Sequence, residues 1–89
     1  MNAKFEIGQL LITPGALQRI NPEEVKNSIG RHLSGDWGEV CEEDGELNDW
    51  AAENDERLLS AYRSVEGERF WVITEADRSA TTILLPSEY

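Results

Sequence analysis

Residues 58–85 read LLSAYRSVEGERFWVITEADRSATTILL, and this stretch decides the predicted fold. Two runs rich in apolar and β-branched residues, Leu58–Ser64 and Arg69–Thr74, are separated by the four residues VEGE. A glycine between two such runs is typical of a β-hairpin. A charged loop then leads to a third run, Thr81–Leu85, which a proline ends. The stretch therefore predicts a C-terminal antiparallel β-meander.

Helix signals dominate the chain before this stretch. Thr13-Pro14 and Asn21-Pro22 each place a capping residue before a proline, and proline suits the first turn of a helix. A third helix is predicted from Asp36 to about Asn54, and an apolar run at Phe5–Ile12 would add an N-terminal strand. Helices followed by strands indicate an α+β class, with two to three helices packed on a three- or four-stranded antiparallel sheet. The length predicts a single domain over residues 1–89.

The net charge of −10 is concentrated in one segment. Ten of the 18 acidic residues lie between Asp36 and Glu56, which contains no Lys, Arg or His. The other eight acidic residues are matched by the eight basic residues, so the rest of the chain is formally neutral. Direct binding of nucleic acid or of an anionic membrane requires a basic patch, and the sequence shows none. The expected partner is a basic protein.

On the predicted third helix, carboxylates and apolar residues fall on opposite sides when residues are placed about 100° apart. The predicted partner-binding stripe consists of Glu39, Glu42, Glu43, Glu46, Asp49 and Glu53. A row of carboxylates on a helix imitates the phosphates of a nucleic acid and steers a basic protein towards it. The alternative is a solvated helix face that binds nothing.

A second candidate is the pair Asp44 and Asn48, four residues apart on the apolar side of the same helix. Polar groups that are buried must be hydrogen-bonded, and two interpretations remain open. In one, Asp44 is the ligand or general base of a small metal-binding protein or hydrolase, with His32 and Asp77 nearby. In the other, Asp44 pairs with an arginine such as Arg78, and Asn48 bonds to the backbone.

Few other residues have catalytic potential. His32 is the only histidine and Cys41 the only cysteine. The position of His32 near the end of a helix favours a capping or dipole-compensating role, and Cys41 is expected to be a small core residue. No nucleophile elbow, phosphate-binding glycine loop or EF-hand spacing occurs. We therefore expect no catalytic residue, no metal ion and no cofactor, and we favour a non-enzymatic protein.

The sequence also indicates where the protein works. No apolar run approaches the roughly 20 residues of a membrane span. The N-terminal sequence MNAKFEIGQ lacks the basic and apolar regions of a signal peptide, and a single cysteine suits a reducing compartment. We expect a cytoplasmic location.

The predicted hairpin has two adjacent aromatic residues, Phe70 and Trp71, on one strand and Tyr62 on the other. Because neighbouring residues of a strand point to opposite faces, one of these side chains would anchor a partner if its face of the sheet were open. If helices cover that face, the aromatics pair across the strands instead. The edge of the hairpin offers a third interpretation, a dimerisation or scaffold module, so monomer and dimer both remain open.

Three segments resemble a known group of proteins: FEIGQLLITPGAL at Phe5–Leu17, RHLSGDWGEVCEEDGELND at Arg31–Asp49, and RLLSAYRSVEGERFWVITEADRSATTILLPSEY at Arg57–Tyr89. The group consists of small plasmid-related proteins encoded on bacterial plasmids and integrative elements. The resemblance implies an accessory protein of a mobile element. Such neighbourhoods often encode DNA mimics with anti-restriction or anti-CRISPR activity, whose target is a nucleic-acid-binding host defence protein.

Overall fold

The structure is a computed structural model that describes residues 3–89. The elements in chain order are β1 (Gln9–Ile12), α1 (Pro14–Arg19), α2 (Pro22–Leu33), α3 (Glu42–Asn54), β2 (Leu58–Arg63), β3 (Arg69–Thr74), β4 (Ala80–Leu84) and a 3₁₀ turn (Pro86–Glu88). Three α-helices and four strands in this part of the chain confirm the predicted α+β class. None of these helices combines the length and the apolar character needed to cross a membrane.

The strands form one sheet in the order β1-β4-β3-β2. Strands β2, β3 and β4 pair antiparallel as neighbours in sequence, which confirms the C-terminal β-meander. Strand β1 pairs with β4 in parallel, so the sheet is mixed and the prediction of an antiparallel sheet was wrong for this strand. An apolar pattern does not set a strand's direction. That direction depends on how three helices and two strands carry the chain from β1 to β4.

The main core lies on one face of the sheet, where alternate strand residues meet α1 and α2. Its buried members are Ala16, Ile20, Tyr62, Phe70, Val72, Ile83 and Leu85, with Val25 and Ile29 of α2 packed against them. Tyr62 is therefore a core residue and not an exposed anchor. Trp71, on the opposite face, is only half-buried and packs against the ring of Tyr89 with centroids 5.6 Å apart.

The first two helices begin where the capping signals predict. Thr13 Oγ1 accepts the N–H of Ala16 at 3.3 Å, and Asn21 Oδ1 accepts a backbone N–H of the first turn of α2 at 2.8 Å. A proline follows each cap. Farther along α2, Glu24 accepts the N–H of Val65 at 2.8 Å and so ties this helix to the turn between β2 and β3.

The third helix begins at Glu42, so the prediction of a helix from Asp36 was wrong. Residues 37–39 instead run beside β2. Ala61 donates its N–H to the carbonyl of Trp37 at 3.0 Å, and its carbonyl accepts the N–H of Glu39 at 2.6 Å. Gly38 between them has φ of 75°, and a Cβ there would overlap the Ala61 carbonyl. This close approach requires glycine and diverts the chain from helical geometry.

A smaller cluster fixes α3 beside β2. It consists of Trp37, Ala51 and Leu58, with Phe5, Val40 and Ala52 packed against it. Cys41 is not part of it: the side chain is exposed, and the expectation of a core cysteine was wrong. The reason is the later start of the helix, which leaves Cys41 at the N-cap instead of on a helix face.

Candidate functional site

Exposed carboxylates on α3 form a surface that we call the acidic face. It consists of five of the six predicted partner-binding residues: Glu42, Glu43, Glu46, Asp49 and Glu53. The sixth, Glu39, precedes the helix in the segment beside β2 and pairs with Arg63 at 3.2 Å. All six are exposed, and Glu39 lies outside the helix.

Most of the carboxylates in the acidic segment have no arginine or lysine partner. Three of the ten form an ion pair: Asp36 with Arg31 at 2.7 Å, Glu39 with Arg63 at 3.2 Å, and Asp55 with Arg78 at 3.9 Å. Within residues 3–89, the remaining seven have no basic group within ion-pair distance: Glu42, Glu43, Asp44, Glu46, Asp49, Glu53 and Glu56. The negative potential of this segment is therefore left largely uncompensated.

Two large apolar side chains are exposed among these carboxylates. Leu47 is 61% exposed and Trp50 is 51% exposed, and they lie three residues apart on α3. Residues at this spacing are neighbours on a helix surface. The helical spacing of the apolar residues predicts a buried Leu47, so its exposure contradicts that expectation. The sequence contains a signal for Trp50, because a tryptophan at this position falls among the acidic residues of the predicted stripe.

Asp49 has a structural contact as well as a place on the acidic face. Its Oδ1 accepts the indole N–H of Trp37 at 2.9 Å. Because the Trp37 ring is buried, this bond fastens the segment before α3 to the middle of the helix. Substitutions meant to test binding should therefore avoid Asp49 and Glu39, whose side chains also support the fold.

Asn48 is buried and bonds to the backbone of β2. Its Nδ2 donates to the Leu59 carbonyl at 2.8 Å, and its Oδ1 accepts the Leu59 N–H at 3.3 Å. Together with the bonds of Trp37 and Glu39 to Ala61, the amide closes the outer edge of β2. Asn48 therefore bonds to the backbone, as the structural interpretation predicts, and both its Nδ2 and its Oδ1 have a partner.

Asp44 is exposed on the first turn of α3, so it is not the buried carboxylate that the sequence analysis weighed. It lines a shallow groove of about 260 Å³ with Leu47, Asn48 and Arg57. Among the described residues it forms no ion pair with Arg57 or Arg78. A first-turn carboxylate is favoured by the positive end of the helix dipole, which accounts for an acid here without a side-chain partner.

His32 lies in the last turn of α2 and has no exposed surface. Its Nδ1 is 2.5 Å from Ser60 Oγ, and its Nε2 is 2.9 Å from Thr74 Oγ1. Thr74 Oγ1 is in turn 2.7 Å from Thr81 Oγ1, which donates to the carbonyl of Ile7 at 2.8 Å. Four buried side chains therefore form one chain of hydrogen bonds across the sheet.

The end of this chain fixes the direction of the bonds up to His32 Nε2. Thr81 uses its only hydroxyl proton on Ile7, so it accepts from Thr74. Thr74 must then accept from His32 Nε2–H. In a neutral ring Nδ1 carries no proton and accepts the hydroxyl proton of Ser60, which is the Nε2–H tautomer.

The surroundings of His32 keep it uncharged. Burial, and then the positive charge of Arg78, lower its pKa to about 4. The rings of Phe5 and Trp37 meet the imidazole edge-on, with centroids 5.1 and 5.7 Å away. A neutral ring cannot offset the dipole of α2, so that expectation was wrong. His32 is a hydrogen-bonded member of the core.

Arg78 and Asp77 organise the loop between β3 and β4. The guanidinium of Arg78 donates to the carbonyl of Ala51 at 2.9 Å and to that of Glu56 at 2.7 Å. It therefore places a positive charge at the C-terminal end of α3, which has no basic residue in its own last turn. Asp77 is exposed and accepts the N–H of Ser79 at 3.0 Å, and hydrogen bonding to Ser79 lowers its pKa.

The second candidate set is not assembled into one site. Asn48 bonds to β2, His32 bonds to Ser60 and Thr74, and Asp77 bonds within its own loop. In the part of the chain that the structure describes, no three His, Cys, Asp or Glu side chains are grouped to hold a metal ion. Arg78 acts on His32 through its positive charge, which contributes to the lowered pKa of the imidazole.

The acidic face joins negative charge to exposed apolar area. It combines uncompensated carboxylates, which attract a basic surface over a distance, with an exposed aromatic ring that would lose contact with water on binding. Two of its carboxylates, Asp49 and Glu53, line a groove of about 440 Å³ together with Lys4 and Ala52. No model of a known protein family matches the chain, and no curated protein sequence or solved structure matches it.

Proposed function

We propose that this chain is a non-enzymatic binding protein whose acidic face engages the basic groove of a nucleic-acid-handling protein. The observation that carries the proposal is the exposed pair Leu47 and Trp50 beside seven carboxylates that have no ion-pair partner within residues 3–89. A face that serves only to keep a protein in solution has no need of an exposed tryptophan and leucine, because both oppose that role.

The charge density of α3 supports imitation of a nucleic acid. Its 13 residues contain six carboxylates. At about 1.5 Å per residue the helix is about 20 Å long, so it carries one negative charge per roughly 3.3 Å. One strand of duplex DNA carries one phosphate per about 3.4 Å. A basic groove built for a phosphate backbone would therefore meet a similar linear charge on α3.

Trp50 supports the same class of partner. Proteins that handle single-stranded nucleic acids combine a positive groove with side chains on which bases stack. An indole flanked by carboxylates presents the same two features, a flat ring and adjacent negative charge, to such a groove. The partner we propose is a nucleic-acid-binding host defence protein, such as a restriction or CRISPR component, in line with the resemblance to mobile-element proteins.

The test is an affinity purification from bacterial cells that contain restriction and CRISPR systems, performed at low and high salt. We expect recovery of a basic nucleic-acid-binding protein that high salt or added DNA removes, because both compete with the carboxylates. The binding variant replaces Glu42, Glu46 and Glu53 by Gln, and it should lose the partner while keeping its fold.

A matched control separates the acidic face from net charge. Replacing Glu6, Glu23 and Glu66 by Gln removes the same three charges from exposed positions outside the acidic segment. This control should bind as the wild type does. Equal binding by both variants, or equal loss in both, would contradict a localised site on α3. A partner that is unaffected by DNA would contradict mimicry.

A further inference from the structure

The two edges of the sheet are finished in different ways. At the outer edge of β2, Asn48 satisfies the N–H and C=O of Leu59, and residues 37–39 satisfy those of Ala61. The outer edge of the hairpin, where dimerisation was one of the predicted alternatives, therefore has its backbone groups at Leu59 and Ala61 already bonded. The opposite edge is β1, and no element of the described chain covers it.

Within residues 3–89, the backbone of β1 has a regular set of groups without hydrogen-bond partners. Gln9 donates to the carbonyl of Ser79 at 2.9 Å, and Thr13 donates to that of Ile83 at 3.0 Å. In a parallel pair, alternate residues direct both backbone groups towards the neighbouring strand. Leu10 and Ile12, which lie between the bonded positions, therefore direct their N–H and C=O groups away from the sheet.

The side chains of β1 make this edge apolar. Leu10 is 47% exposed, Leu11 is 41% exposed and Ile12 is 37% exposed. Edges that must not associate usually carry charges, a proline or a bulge. Here residues 7–18 contain no charged side chain, and the proline at position 14 follows the strand without interrupting it.

The placement of charge makes β1 the edge at which a second copy of this chain fits with least repulsion. Two copies, each with a net charge of −10, associate only if their acidic segments stay apart. The acidic face lies beside β2, at the far edge of the sheet from β1. With strands about 4.8 Å apart, pairing through β1 separates the two β2 strands by seven spacings, or about 34 Å. That distance is about four Debye lengths at physiological salt.

We propose that β1 pairs antiparallel with β1 of a second copy, forming a continuous eight-stranded sheet centred on Leu11. In this register Leu10 of each copy lies opposite Ile12 of the other, so the outward groups of both residues form four hydrogen bonds. The two Leu11 side chains face each other across the two-fold axis, with Cβ atoms about 5 Å apart. The uncharged, apolar edge is its own complement, as a two-fold interface requires.

The test is sedimentation equilibrium of the full chain over a concentration series up to the millimolar range. We expect the wild type to approach twice the 10.1 kDa mass of the chain. Leu11→Lys sets two positive charges against each other at the axis and should remain at the single mass. The matched control, Leu47→Lys, places the same change on α3 and should dimerise as the wild type does.

Two further readouts separate this interface from the acidic face. High salt should leave the dimer intact or strengthen it, because it screens the repulsion between the two copies. Hydrogen exchange at the Leu10 and Ile12 amides should slow as concentration rises in the wild type and in Leu47→Lys, and should stay unchanged in Leu11→Lys. A wild-type chain that stays monomeric with freely exchanging amides, or loss of the dimer in both lysine variants, would overturn the proposal.

Discussion

Acidification should weaken the fold through His32, whose buried neutral ring joins Ser60 to Thr74. Its pKa falls from 6.5 to about 4 on folding, so the unfolded chain takes up the proton first as the pH is lowered. The stabilisation from this group is therefore complete above about pH 6.5, declines between pH 6.5 and 4, and is constant below that. The shift corresponds to about 3 kcal/mol in all, of which about 2 kcal/mol is lost between pH 7 and pH 5.

Because His32 is the only histidine, its ring gives a single set of NMR signals. A titration of protein labelled with ¹⁵N-histidine should show a folded-state midpoint below pH 5. The ¹⁵N shifts at neutral pH should identify Nε2 as the protonated nitrogen. Urea unfolding of the wild type and of His32→Gln at pH 7 and pH 5 then supplies the energy. Glutamine does not titrate, so the stability gap should shrink by about 2 kcal/mol at the lower pH.

The comparison with His32→Gln is needed because other groups also contribute to the pH dependence of stability. Both proteins share those contributions, so the difference between them isolates His32. A folded-state midpoint near 6.5 would refute the inference that burial keeps the ring neutral. The Nδ1–H tautomer would refute the direction assigned to the hydrogen-bond chain. Should His32→Gln fail to fold, the NMR titration of the wild type decides both points alone.

Two further predictions concern α3. Asn48→Ala should lower the free energy of unfolding by about 2–4 kcal/mol, because it leaves the N–H and C=O of Leu59 without partners. Urea unfolding measures this, and a loss well below 1 kcal/mol would mean that water replaces the amide. Glu53→Gln should raise the thermal midpoint by a few degrees, about 0.3–1 kcal/mol, because Glu53 lies at the negative end of α3 and four residues from Asp49. Calorimetry measures this shift; the control Glu43→Gln, in the first turn, should lower the midpoint, and shifts of the same sign would contradict the dipole argument.

The sequence predicts those parts of the fold that depend on residues close to one another in the chain. The capping residues Thr13 and Asn21 lie next to the helices they start, and the glycine of the β2–β3 turn lies between the strands it joins. The start of α3 has a distant cause, since Gly38 is held by Ala61, 23 residues later. The parallel direction of β1 likewise depends on β4. A pattern of caps and apolar residues contains no information about such contacts.

The same distinction applies to the candidate site. Charged side chains face water wherever the chain runs, so the exposure of the acidic face follows from residue type. The exposure of Leu47 and Trp50 does not, because it depends on which elements pack over α3. The hydrogen bonds of His32 to Ser60 and Thr74 span 28 and 42 residues, and only the folded sheet brings these side chains together. The position of the charge could therefore be predicted from the sequence, whereas the exposure of the two apolar side chains could not.

The two proposed surfaces lie at opposite edges of one sheet, and this arrangement makes them compatible. A chain with an uncompensated acidic segment repels its own copies, so self-association requires an interface as far from that segment as the fold allows. Strand β1 is that position: it contains no charged residue, and no element within residues 3–89 covers its outer edge. Salt should consequently act in opposite directions on the two interactions: it weakens a contact made by the acidic face and does not weaken one made by β1. In the dimer the two acidic faces would point outward at opposite ends, so a target with two basic grooves at that spacing would gain affinity from both without any new contact.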